Sequence, residues 1–376
     1  MKKLLVDAIS TNSGGAISHL KNLLINFNKQ KYFDEIDVFL PSSTKKLMPV
    51  KKGINYYAPK VLSKNLLLRI FWQTFILNLI IKKKKYNCIF VTGSSHFLLA
   101  KPIVTISQNL LPFSKNEVDK YFFSIFYLKM KILKIIQTIS FKMSEGVIFL
   151  HKYSQQKIIS QIGKIKGLVK VIPHGISFEK KKHILKKNKF RLIYVSNIDL
   201  YKNQTFLVKS IDNFLTKFPS FKTKIKVEFY GSAYKPALKK FNKALDLSRN
   251  RKNFKYFGIK KGKYIYNHRK NLDTIFLFAS SCENFSVSLL EGMSKGYPIL
   301  CVNLQPMKSV LGKAALFYEY GSVTSFQNQL KKIISSKKIQ NKLSKIVYKR
   351  SKMFSDNSIA KKTFDFLIKI SKKYEN

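Results

Sequence analysis

Residues 281–303, SCENFSVSLLEGMSKGYPILCVN, constrain the fold more than any other stretch. The run before them, DTIFLFAS at 273–280, is apolar and carries β-branched and aromatic residues, and a second apolar run, 297–302, follows a Gly-Tyr-Pro turn. The order read from this pattern is strand, turn, helix, turn, strand, the repeating unit of an open parallel α/β sheet. Ligands of such sheets bind at strand-to-helix turns, where the first amides of a helix converge on an anion. Glu283 falls just past the predicted strand, and Glu291 falls in about the first turn of the predicted helix. One carboxylate is placed to accept hydrogen bonds from sugar hydroxyls, the other from a ribose diol beside phosphates. A plainer reading competes at Glu291. Ser288-Leu-Leu-Glu291 has the spacing of a capping box, in which the glutamate only satisfies a backbone amide and favours the helix start by about 1 kcal/mol.

At 376 residues the chain has room for two domains of ordinary size, each able to bury a core. Its 71 Lys and Arg against 19 Asp and Glu leave a formal charge of +52, which favours polyanions: nucleic acid, or the anionic inner leaflet of a membrane. The lysines are dispersed rather than striped and no nucleic-acid recognition module is present, so no specific nucleic-acid partner is expected. Compositional drift toward Lys, Asn, Ile and Phe explains part of the excess. Three widely spaced cysteines, Cys88, Cys282 and Cys301, read as reduced thiols of a cytoplasmic protein. The start, MKKLLVDAIS, meets Asp7 before an apolar core develops, so it reads as a first strand rather than an export signal. Residues 65–81, NLLLRIFWQTFILNLII, are too short and too polar to span a bilayer. Followed by Lys82–Lys85, they form either a core-facing amphipathic helix or one lying on anionic lipid.

Strands and helices alternate from the first strand, 3–9, whose following turn contains Gly14 and Gly15, a pair that lets backbone approach a ligand closely. Later strands are expected at 35–40, 54–57, 87–92, 101–107, 146–150 and 168–173, and a long helix at 117–143 with Phe122, Phe126, Tyr127 and Ile132 on one apolar face. That face is expected in the core; exposure would mark a lipid or partner surface. The lysine-rich segment 178–189 has no apolar rhythm and reads as a linker between a first domain, 1–177, and a second, 190–357. The second restarts with a strand at 190–195, and Lys202 falls near the start of the next helix. The helix dipole disfavours a lysine there, so Lys202 is expected to answer an anion. Gly231 ends a further strand and is expected to approach the ligand, and past residue 303 the chain reads as helical.

With Phe285, Met293, Gly296 and Pro298 in register with the two glutamates, the central stretch resembles the E-x7-E signature of family-four retaining glycosyltransferases of GT-B architecture. The resemblance implies two Rossmann-like doubly wound domains facing across a cleft, with the last helix, 358–376, crossing back to the first. It implies a nucleotide-sugar donor, UDP- or GDP-linked, on the second domain, with no other cofactor and no metal. Glu291 would hold the ribose, Lys202 and the amides of Val287 and Ser288 the diphosphate, and Glu283 with the backbone of Phe285 and Ser286 the hexose. Gly14 and Gly15 match the family's glycine-rich first loop. The V-I-P-H-G-I run places His174 at the end of the first domain, with Ser177 where the family commonly has Asp. Two further departures stand out: Gln108 occupies the place of a histidine beside the reacting sugar, and Asn197 lies nearest the place of a phosphate-binding arginine. A carboxamide cannot take a proton at neutral pH, which removes a general base at Gln108; Gln108, Asn109 and His174 remain candidate acceptor or sugar contacts, with His96 a minor alternative for the histidine. The QNLLPF string resembles enzymes that assemble surface polysaccharides, implying a glycan or lipid-linked acceptor and a peripheral place on the inner face of the cytoplasmic membrane. The competing readings are a GT-B protein of weak or no activity and a basic nucleic-acid-binding protein.

Overall fold

All strand pairings among the described residues are parallel. The computed structural model describes residues 1–12, 14–178, 188–267 and 272–375, and the chain divides into two units, 1–177 with 354–376, and 178–353. Unit 1 holds β1 (Lys3–Asp7), β2 (Glu35–Phe39), β3 (Ile54–Tyr57), β4 (Cys88–Val91), β5 (Ile103–Ser107), β6 (Gly146–Phe149) and β7 (Leu168–Val171), in the order β3-β2-β1-β4-β5-β6-β7. Unit 2 holds β8 (Phe190–Val195), β9 (Ile225–Tyr230), β10 (Phe254–Tyr256), β11 (Asp273–Phe278), β12 (Ile299–Val302) and β13 (Leu316–Tyr318), in the order β10-β9-β8-β11-β12-β13.

Both sheets are doubly wound. The chain moves outward from β1 to β3, then returns to lay β4 on the other side of β1, and it repeats the manoeuvre at β8 and β11. At each reversal, successive connections leave opposite faces of the sheet and open a crevice at the carboxyl ends of the two central strands. The central strands are buried from end to end because helices cover both faces, which is why they read as unbroken apolar runs. Among the charged residues buried in the strands, Arg191 of β8 is paired: Glu228 of the neighbouring β9 accepts from its Nε at 2.6 Å.

The last helix, Asp356–Lys373, packs in unit 1, its Phe364 ring 5.6 Å from Phe27 and 5.0 Å from Tyr32. A side chain at Gly146 would press on Ile370 and Phe366 of this helix at 3.2 Å, so the bare backbone of β6 lets the two come together.

Three expectations fail locally. The helix expected over 117–143 is broken: a turn at Lys115–Val118 runs into a 3₁₀ turn, Asp119–Tyr121, and Phe123 then takes the left-handed region at φ +61° before the helix Ile125–Met143 starts. Ser124 causes the restart, its hydroxyl accepting from Tyr127 N at 3.2 Å as an N-cap. The 65–81 helix extends to Lys84 and contains a π-helical segment, Trp72–Leu77. In that segment Gln73 turns inward and donates to the buried Asp7 carboxylate at 2.5 Å. Past residue 303 the chain is not wholly helical, since β13 closes the second sheet.

Candidate functional site

The carboxyl ends of β8 and β11, the two strands at the reversal in unit 2, deliver Lys202 and Glu283 to one place. From β8 the chain passes through Asn197, whose amide donates to Asp199 at 3.1 Å, into a tight turn, Leu200–Lys202. Asn203 then takes a left-handed conformation (φ +57°) before the helix Gln204–Lys217. Lys202 therefore sits two residues ahead of the helix, at the end of that turn, and it is buried. Its Nζ donates to Glu283 Oε1 at 2.5 Å, and the ion pair is about nine-tenths shielded on both sides. Burial alone would push the ammonium pKa down, but the Glu283 carboxylate outweighs it and holds the lysine firmly protonated. The two loops are stitched together by Ser281 N donating to Tyr201 O at 2.8 Å and by Asn203 Nδ2 donating to Ala279 O at 2.9 Å. Taking two charges out of water costs several kcal/mol per ion, and a well-packed apolar pair would be at least as stable. An ion pair kept at the reversal of the sheet is therefore a functional candidate.

The helix after Glu283, Val287–Ser294, begins where the sequence places it, but its cap differs from the capping-box reading. Ser286 is the N-cap, its hydroxyl accepting from Leu289 N at 3.3 Å, so Ser288 and Glu291 form no box. Val287 and Ser288 are the first helical residues, whose amides precede the helix's own hydrogen bonds. Phe285 is buried beneath them. Gly296, at φ +70°, closes the helix: Tyr297 N bonds to Gly292 O at 3.2 Å and Gly296 N to Met293 O at 2.9 Å. Gly292 lies so close to β11 that a Cβ would meet the Phe276 ring at 2.6 Å.

Glu291, one turn further along, accepts at Oε2 from the Tyr266 hydroxyl at 2.6 Å. Burial raises its pKa, against the opposing pull of the Tyr266 hydrogen bond and Lys295. Tyr266 belongs to the short helix Gly262–Asn267 and no motif marks it, so sequence reasoning missed it. Arg191 fixes that helix from below by donating to Ile265 O at 2.5 Å. At Gly231 a Cβ would meet Ser196 O at 2.2 Å, so its bareness serves the chain's own close approach. Residues 179–187 of the expected linker lie outside the described residues.

In unit 1, Gly14 and Gly15, expected in a turn, form the first turn of the helix Gly14–Ile25, with Gly14 at φ +57°. Gln108 follows β5; its backbone amide donates to Ser94 Oγ at 3.0 Å, and its Nε2 is closed to solvent with no partner among the described residues. Asn109 uses Oδ1 to hold its own turn, accepting from Leu111 N at 3.0 Å. His174 is buried with its ring 4.7 Å from that of His19, and burial together with His19 keeps it neutral. His96 is also buried, hydrogen-bonded to Ser144 at 3.0 Å, with its pKa pushed down to about 4. Among the described residues no three His, Cys, Asp or Glu side chains are grouped to hold a metal ion.

Two doubly wound parallel units, of seven and six strands, each with its reversal next to the first strand, define the GT-B fold of glycosyltransferases. Solved structures agree over nearly the whole chain. Sucrose-phosphate synthase from Thermosynechococcus elongatus superposes with a TM-score of 0.78 at 12% identity, covering 97% of this chain and 98% of that one. Anabaena Alr3699/HepE, solved in complex with UDP-glucose, gives 0.74 at 15% identity over 98% and 99%. WaaG, a glycosyltransferase involved in lipopolysaccharide biosynthesis, gives 0.73 at 11% over 97% and 99%. At these identities the likeness is one of fold, and by sequence no curated protein matches the chain. Residues 176–350, a segment that spans nearly all of unit 2, match the family Glycosyl transferases group 1.

Proposed function

We propose that the chain is a retaining, metal-independent glycosyltransferase that moves a hexose from a UDP- or GDP-linked donor to a glycan or lipid-linked acceptor in surface-polysaccharide synthesis. The observation that carries the reading is the shielded Lys202–Glu283 pair, held at the sheet reversal of the unit that matches the family, directly before the helix Val287–Ser294. An ammonium has three donor hydrogens, so Lys202 can keep Glu283 and still donate to phosphate oxygens. The second oxygen of Glu283 would then accept from a hexose hydroxyl, next to the backbone of Phe285 and Ser286. The amides of Val287 and Ser288 would meet the diphosphate at the positive end of the helix. Glu291, pre-oriented by Tyr266, would accept from the two ribose hydroxyls. HepE in complex with UDP-glucose supports the donor class through the shared fold.

In the reaction the bond between the anomeric carbon and the diphosphate oxygen breaks, and negative charge builds on the leaving diphosphate. Lys202 and the helix amides are fixed in advance to stabilise that charge, which is where such groups contribute most to rate. The acceptor oxygen forms the new glycosidic bond on the same face, and its proton passes to a diphosphate oxygen. Gln108 cannot serve as a base, so the leaving group takes that proton. On the acceptor side, in unit 1, Gln108 Nε2 supports a sugar contact because it is a buried donor awaiting an acceptor. Asn109 and His174 are assigned there with it, and Gly14 and Gly15 are assigned to donor binding.

The test is transfer of labelled hexose from UDP- and GDP-sugars, with and without a chelator, and with the product's anomeric configuration read by NMR. Retention and indifference to chelator support the reading, and inversion or a strict metal requirement contradicts it.

A further inference from the structure

The helix Ile125–Met143 is apolar on two sides. It buries Met130 and Phe141 with Gln137 and Ser140, and Ile125, Leu128, Ile132, Ile135 and Ile139 form an unbroken exposed row at alternating spacings of three and four residues. The turn leading into it exposes Phe123 almost completely, at 96%. An amphipathic helix that packs only on its own core turns a polar face to water instead. The segment from Leu66 to Lys84 is likewise apolar on two sides: Trp72, Gln73 and Leu77 face in, while Leu67, Phe71, Phe75 and Leu79 face out at four-residue spacing.

The two rows lie on one face of unit 1. The connections β3 to β4 and β5 to β6 cross the sheet in the same direction, and right-handed crossovers then place both helices on the same side. The loop between β4 and β5 joins them. His96 N donates to Ser140 Oγ at 3.0 Å, and Leu99 N to Asn78 Oδ1 at 3.0 Å, with the exposed Leu99 side chain between the two helices.

We propose that this face docks unit 1 onto an anionic lipid bilayer, with the two apolar rows entering the interface and the flanking lysines meeting the headgroups. Charge decides between bilayer and protein. From Lys60 to Lys85 and from Phe122 to Met143 there is no Asp or Glu, while Lys129, Lys131 and Lys134 border one row and Lys82–Lys85 end the other. A second copy of the chain on this face would bring lysines against lysines. Lipid with acidic headgroups satisfies both the apolar row and its basic margins. No helix among the described residues is long and apolar enough to cross a membrane, so the contact is interfacial. Donor binding plays no part in this inference, and its test contains no sugar nucleotide.

The test is co-sedimentation of the full chain with vesicles of phosphatidylcholine alone or mixed with phosphatidylglycerol. The wild type should bind the anionic vesicles and not the zwitterionic ones. Leu128→Glu with Ile135→Glu should weaken binding about tenfold or more, and Lys129→Glu with Lys131→Glu on the order of a hundredfold. Lys239→Glu with Lys243→Glu, which changes the charge equally on an exposed helix of unit 2, should leave binding within about threefold. Thermal melts establish that each variant is folded. Ile135→Trp should show a blue shift and quenching by brominated lipid, while the one native tryptophan, Trp72, is buried and gives a constant background. Three results would overturn the proposal: equal loss in the unit 2 variant, which would mean diffuse charge attraction; no quenching at position 135; or a wild-type dimer that Leu128→Glu with Ile135→Glu dissociates, which would make a second copy the occupant.

Discussion

At the carboxyl ends of β8 and β11, unit 2 pairs Lys202 with Glu283 at 2.5 Å, whereas unit 1 buries His19, His96 and His174 as neutral rings. Both are solutions to the cost of taking ionisable groups from water, one by pairing and one by losing the proton. A structural core gains nothing from the first that apolar residues would not give. A site that must meet a diphosphate needs a fixed cation, and the pair maintains one.

The largest effect expected from breaking this contrast is at Lys202. Lys202→Ala should lower hexose transfer by a factor on the order of a hundred to a thousand. It should also cost roughly 3–5 kcal/mol in denaturant melts, because Glu283 is left buried and unpaired. Lys202→Met with Glu283→Leu sharpens the point: stability should return to near the wild-type value while turnover stays low. Recovery of both would mean that the pair serves only the fold.

Acid should separate the two units next. His19 is pushed down to about 4 from an ordinary 6.5, so between these values the unfolded chain binds a proton that the folded one refuses, and stability falls as pH falls. At pH 5 that amounts to about 2 kcal/mol for His19 and a similar amount for His96. Asp7 opposes it: burial raises its carboxyl to about 6, so the folded state takes up a proton first and gains stability as pH falls through that value. The balance favours the histidines. Melts from pH 7 to 5 should show a decline that His19→Gln reduces by about one proton's worth, and a decline unchanged in that variant would refute the neutral-ring account.

Smaller effects are expected at Glu291. Glu291→Gln should raise the donor dissociation constant about tenfold, and Tyr266→Phe by less, since one hydrogen bond to a carboxylate is lost, roughly 1.5–3 kcal/mol before water replaces it. Because the Tyr266 hydrogen bond lowers the Glu291 pKa, its removal should also move the acid limit of donor binding to higher pH. Titration calorimetry across pH measures both.

Much of this was legible in the chain. The strand-turn-helix-strand reading of 273–302 and the strand Phe190–Val195 rest on long apolar runs punctuated by turn residues, and they place Lys202, Glu283 and Ser286–Glu291 on the correct turns. Features set by distant partners were not legible. Tyr266 reaches Glu291 across 25 positions, and Arg191 in a strand looks anomalous until Glu228 appears beside it. The strand Leu316–Tyr318 is three residues long, too short for any period to show. Nor does the sequence reveal which side of the helix Ile125–Met143 faces water; periodicity identifies an apolar row, and only packing shows that the core takes the other side.

The most direct test of the central claim, that unit 2 binds the nucleotide of a sugar donor through Lys202 and Glu291, is a thermal-shift titration with UDP-, GDP- and ADP-linked sugars. It should be run on the wild type, on Glu291→Gln and on the stable Lys202→Met, Glu283→Leu pair. The expected result is that one donor raises the wild-type melting temperature in a concentration-dependent way, that Glu291→Gln needs about tenfold more donor for the same shift, and that the Lys202→Met, Glu283→Leu pair does not respond. An undiminished shift in both variants, or no shift in the wild type with any of these donors, would contradict it.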